Sequence, residues 1–129
     1  MRLKLSRLKK WLGEHNGQSL VEFAFVSLPL LLLLLGMIEF GWLFNAQITI
    51  TSAAREGARA AAVGEDPRLA VERHLSSTAV DLTEVFVVPG GKAADRWNLV
   101  RVSGRIEPLV GLFVTHTVNL SAEATMRQE

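Results

Sequence analysis

The feature that most constrains this chain is a run of 25 residues, 20–44, in which Glu22 and Glu39 are the only charged side chains. As a helix of ~1.5 Å rise per residue, this run extends roughly 37 Å, enough to cross a hydrocarbon core of about 30 Å. Residues 30–35 are leucine throughout. We read a transmembrane helix over about residues 20–44. The alternative is a buried helix of a soluble protein, and such helices seldom keep an apolar run this long.

Charge orients the span. Residues 1–17 hold Arg2, Lys4, Arg7, Lys9 and Lys10 against Glu14, a net +4, whereas the remaining 112 residues hold 9 basic and 12 acidic side chains. No Lys or Arg follows the span until Arg55. Basic flanks stay on the cytoplasmic side, so the expected topology is N-terminus inside and C-terminal part outside the cytoplasmic membrane. A cleaved secretory signal is the competing reading. The apolar stretch is long for one, and "NAQITITS" after Phe44 offers no small-x-small site. The chain has no cysteine, so disulfides and thiol chemistry are excluded.

Helical signals continue beyond the span. Ala54, Ala58 and Ala62, and likewise Ala53, Gly57 and Ala61, recur every four residues. Each set lines one helix face and lets another backbone approach closely; alternatively, alanine is there because it favours helix. Arg55 and Arg59 share another face, and Glu56 stands three residues before Arg59 as a candidate ion pair. Ile48, Thr49, Ile50 and Thr51 weaken the helix locally. One helix is expected over about residues 18–63, with a kink at Pro29 and a cap at Gly64. Asp66-Pro67 then opens a short amphipathic helix carrying Leu69, Val71 and Leu75.

After Val80 the period becomes two. "LTEVFVV" reads as a strand stopped by Pro89-Gly90-Gly91. "LVRVSGRIE" and "TVNLSAEATMR" alternate apolar and polar residues, as strands with one buried and one wet face do. The expected class is therefore α+β: a long N-terminal transmembrane helix continuing outside the membrane, a short helix, and a small antiparallel sheet of about three strands. The organisation follows as a basic leader over 1–17, a long helix over 18–64 and an extracytoplasmic domain over 65–129. A sheet region this small is marginal alone and needs the outer helix as a partner.

No catalytic constellation is legible. His15, His74 and His116 are scattered without metal-ligand spacing, and Gly90-Gly91-Lys92 lacks the first glycine of a phosphate loop. Ser76-Ser77 lacks nucleophile-elbow glycines, and no aromatic-interleaved basic patch suggests nucleic acid. We expect no enzyme activity, no cofactor, no metal and no small-molecule substrate.

At the boundary between leader and span, Gly17 is followed by "QSLVEF", with Glu22 the fifth residue after it and Phe23 the sixth. A carboxylate here is either a tolerated interfacial group or the partner of an opposite charge. This layout resembles a type IV prepilin leader of the Flp, tight-adherence version. The resemblance implies cleavage between Gly17 and Gln18 by a prepilin peptidase, with Glu22 and Phe23 serving processing and assembly. A cut there would leave an amine on Gln18, and Glu22 of a neighbouring subunit could meet it, setting register more than stability. Further on, Glu39-Phe40-Gly41 and Arg55-Glu56-Gly57-Ala58-Arg59 closely resemble segments of the TadE-like family of small pilus-assembly proteins, and "SAEATMRQE" is similar to their endings. That resemblance implies a pilin-like, minor pilin or pseudopilin protein of the bacterial inner membrane, with other pilin-like subunits and the assembly machinery as partners. The four-residue spacing of small residues leaves Ala54, Gly57, Ala58 and Ala61 as the helix-packing candidates. The rival reading is an unprocessed single-pass anchor presenting a periplasmic protein-binding module.

Overall fold

The computed structural model describes residues 16–92 and 95–128. Helix α1 (Asn16–Ala62) and helix α2 (Pro67–Leu75) precede strands β1 (Asp81–Lys92), β2 (Asp95–Ile106) and β3 (Val118–Arg127). This is the α+β arrangement expected from the sequence. The chain divides into two compact units, Met1–Met37 and Ile38–Glu129. The basic leader, apart from Asn16 and Gly17, lies outside the described residues.

In the first unit, the described part is helix. Its large apolar side chains stand outward, from Phe25 at 80% exposed to Leu35 at 36%. Of the most apolar 18-residue window only 6% is buried, whereas the core helix of a soluble protein is mostly buried. The helix is long and apolar enough to cross a membrane. It is helical through Pro29, the position at which the sequence predicts a kink. Proline withdraws a single backbone donor there, and the turns on either side keep theirs.

In the second unit, the outer part of α1 packs on the sheet. Ile50, Ala53, Ala54, Ala58 and Ala61 of α1 share a core with Val71 and Leu75 of α2, Val80, and Val100, Val102 and Ile106 of β2. The β-branched stretch stays helical, with Ile50 buried in this core and the Thr49 and Thr51 hydroxyls donating to the carbonyls of Asn45 (2.9 Å) and Gln47 (2.7 Å). Gln47 also donates its side-chain amide to the Ser121 carbonyl of β3 (3.3 Å).

The end of α1 is fixed twice. Gly64, at φ +80°, donates to the Ala61 carbonyl (3.4 Å), and Glu65 donates to the Ala60 carbonyl (2.8 Å). This pair of bonds is a Schellman motif, and it needs a residue comfortable in the left-handed region at Gly64. The Asn98 side chain of β2 reaches the same Ala61 carbonyl (3.0 Å), so the sheet helps cap the helix. Asp66 then accepts the Arg68 N–H (2.9 Å) as the N-cap of α2, with Pro67 in its first turn. The Arg68–Glu72 pair (2.9 Å) on the exposed face raises the pKa of the Arg68 guanidinium, chiefly through the hydrogen bond that Arg68 Nε donates to Glu72.

The sheet is an antiparallel meander in the order β1-β2-β3. β2 turns Val100, Val102 and Ile106 to the core, and β3 sets Val118, Leu120 and Ala122 beside them. Leu82 and Val85 are three residues apart, so plain alternation cannot bury both. A β-bulge between Leu82 and Glu84 resets the register, pairing Leu82 with Gly104 and Val85 with Val102, and both side chains reach the core.

One boundary differs from the sequence reading. β1 does not stop at Pro89-Gly90-Gly91 but continues to Lys92, pairing Gly90 with Trp97 and Lys92 with Asp95. β1 is an edge strand, where proline is tolerated. The Trp97 indole occupies the space over Gly90 that a side chain would fill, so glycine is required there by its neighbour and not by a stop.

Two close approaches let helix and sheet meet. A methyl group on Gly57 would stand 2.8 Å from Val71 Cγ2 and 3.1 Å from Val100 Cγ1. One on Gly104 would stand 2.8 Å from Val80 Cγ1 and 3.2 Å from Ile50 Cδ1.

Candidate functional site

The residues singled out by sequence fall into three places. Gly17, Gln18, Glu22 and Phe23 occupy the first turns of α1. The Gln18 side-chain amide donates to Glu22 Oε1 (3.3 Å), so Gln18 and Glu22 share one face, a turn apart. Phe23 is 70% exposed, and a side chain at Gly17 would meet nothing within 4 Å. Packing within the described residues therefore gives no reason for glycine at position 17.

Glu39 behaves in the opposite way. Its side chain is wholly buried, although it stands in the apolar run. Its two oxygens are divided between two backbone donors of the β2–β3 loop: Gly111 N–H donates to Oε1 (3.0 Å) and Phe113 N–H to Oε2 (3.1 Å). Gly111 has φ +70°, and the turn it makes lets N–H groups two residues apart converge on one carboxylate. A buried carboxylate is costly unless it is hydrogen-bonded, and here both oxygens are. One turn along, the Trp42 indole N–H donates to the Glu107 carbonyl (3.2 Å), at the start of the same loop. Glu39 and Trp42 thus clasp the loop at two points.

The rest of the motif faces away. Phe40 is 61% exposed, and Gly41 has open space where a side chain would be. Ala54, Gly57, Ala58 and Ala61 are buried inside the second unit, with Val71 and Val100 lying over Gly57. Arg55, Glu56 and Arg59 are exposed. The ion pair anticipated between Glu56 and Arg59 does not form; among the described residues the pairs are Arg68–Glu72, Arg101–Glu123 and Arg127–Asp95. Three-residue spacing allows such a contact but gives two exposed, hydrated side chains little reason to hold it.

Sequence reasoning missed the clasped loop, because its partners for Glu39 are backbone N–H groups, which leave no mark on residue identity. The available signals were a carboxylate with no cation near it and a glycine amid the apolar "PLVGLFV". In chemical terms the arrangement is a fastening and a packing surface, built from a charge-assisted hydrogen-bond pair and close-packed small residues.

No curated protein and no solved structure matches this chain. Residues 17–59 match the family model described as TadE-like protein, a stretch that runs from Gly17 through Glu22 and Glu39 to Arg59.

Proposed function

We propose that this chain is a pilin-like subunit, a minor pilin or pseudopilin, of a tight-adherence, Flp-type pilus or a related secretion apparatus. It sits in the bacterial inner membrane as a single-pass protein, N-terminus inside and the Ile38–Glu129 unit outside. A prepilin peptidase matures it between Gly17 and Gln18. Its partners are that peptidase and other pilin-like subunits. The reading is carried by the TadE-like match beginning at Gly17, together with a basic leader before it and the apolar helix after it. The sheet-bearing unit fits a minor component better than the bulk of a fibre, since the major pilins of such systems are hardly more than a helix.

In this reading Glu22 meets the amine freed on Gln18. Both residues are exposed on the first turns of α1, where a neighbouring subunit can reach them. The test is the intact mass of the protein from its own membranes, with and without the peptidase. The expected result is loss of residues 1–17 only when the peptidase is present, and no loss in Gly17→Leu, whose side chain crowds the cleavage site. A chain retaining Met1 in peptidase-competent cells defeats the proposal and leaves an uncut anchor presenting a protein-binding module.

A further inference from the structure

The β2–β3 loop carries a second group of outward apolar side chains. Leu109, Val110, Leu112 and Phe113 are 55%, 42%, 47% and 51% exposed. No charged residue occurs from Pro108 to Thr115. In a water-facing loop such a cluster is out of place, because connections in water are ordinarily polar.

Its fastening says what faces it. The loop is bound through the N–H groups of Gly111 and Phe113 to Glu39, inside the apolar run. Beside Glu39 on the helix, Ile38, Phe40 and Phe44 are 53%, 61% and 68% exposed. Twenty helical residues cover about 30 Å, the thickness of the hydrocarbon core, and counted from Leu20 that length is reached at Glu39. The loop is therefore tied to the helix where hydrocarbon gives way to headgroups. Trp42, with an apolar ring and a donor spent on Glu107, is the residue type enriched at that depth. An irregular backbone cannot lie in the hydrocarbon centre, where its unpaired polar groups find no water, but it is tolerated at the boundary.

We propose that the loop over residues 108–114 is a second membrane contact, seating Leu109, Val110, Leu112 and Phe113 in the outer boundary of the lipid bilayer around the span. Glu39 is the positioning residue: it holds the loop at that depth, and the loop in turn supplies the donors that let a carboxylate stay there. The inference rests on membrane anchoring alone and not on the pilin-like reading, so the two fail separately.

The native chain has no cysteine, so single cysteines can report depth. The full chain with Leu112→Cys or Phe113→Cys, labelled with an environment-sensitive fluorophore, is reconstituted into phosphatidylethanolamine/phosphatidylglycerol vesicles. Lipids carry a spin label either near the headgroup or at the chain end. Both sites should be quenched several-fold more by the shallow label than by the deep one, as Phe44→Cys is. Ser121→Cys, on a strand, should be quenched by neither. Glu39→Gln keeps one acceptor and removes the second, so it should reduce shallow quenching at position 112 while leaving position 44 unchanged. Two results overturn the proposal. In one, iodide in the buffer quenches positions 112 and 113 as fully as position 121, placing the loop in water. In the other, spin-labelled lipid has no effect and cysteine pairs cross-link between chains, placing a second copy over the loop.

Discussion

Leu32 and Ala54 stand on one helix. The leucine, much the larger, is 40% exposed, and the alanine is fully buried. The same inversion runs through both regions. Residues 20–35 expose leucine, valine and phenylalanine, while the Ala46–Ala62 end buries chiefly alanine, with Ile50 as its one large side chain. The difference lies in the surroundings each region must satisfy. In lipid, a large apolar side chain is well solvated outside, and nothing drives it inward. In water, apolar area must be covered, and a helix that lies close on a sheet can spare little volume for side chains.

The comparison is most directly broken at Ile50. Ile50→Ala should destabilise the second unit by about 2–5 kcal/mol, since the side chain is fully buried and leaves a cavity. Leu32→Ala should change it by less than about 0.5 kcal/mol, as a substitution outside the packed core. Denaturant unfolding in micelles, followed by tryptophan fluorescence, measures both; equal losses would erase the distinction between the regions.

Gly57 and Gly41 sharpen it with the same substitution. Gly57→Leu gains roughly 1 kcal/mol of helix propensity but collides with Val71 and Val100, for a net loss of about 1–3 kcal/mol. Gly41→Leu meets nothing within 4 Å and should keep the propensity gain. A stabilised Gly57→Leu protein would mean that close packing does not require the glycine and that the alanines line this face for helicity alone.

The two glutamates of the apolar run form the next pair. Glu39→Gln leaves one of two backbone donors facing an amide NH₂ and should cost about 1–3 kcal/mol. Glu22→Gln, on an exposed side chain with a single 3.3 Å contact, should be neutral within about 0.5 kcal/mol in the same unfolding assay. The smallest effect is expected across the sheet, where Arg101 faces Glu123 at 2.6 Å with half of each side chain exposed. A double-mutant cycle there should give about 0.2–1 kcal/mol and fade in high salt.

Much of the fold was legible because its signals are local. The long apolar run, the Asp66-Pro67 helix start, the Gly64 cap and the alternation of β2 and β3 each depend on residues within a few positions. The rest depended on distant neighbours. Pro89 reads as a stop until β1 is known to lie at an edge, and Gly90 reads as a turn until Trp97 is placed over it. The bulge after Leu82 could have been inferred from the three-residue spacing to Val85, but only once both were known to be buried. For the candidate site, sequence pointed to Glu39 by resemblance. It gave no hint of what the carboxylate binds, because the partners lie 72 and 74 residues away in the backbone.

The cover over Gly57 has a consequence in the order of synthesis. Val71 and Val100, which close over this glycine, are made after the whole of α1. Until β2 has been made, the alanine face lacks the cover that Val100 gives it. A face of leucines left open for that interval would invite wrong partners, as transiently exposed apolar surface does. Alanine and glycine offer a newly made helix little to stick by, and this makes the small side chains as useful before the domain has folded as after it.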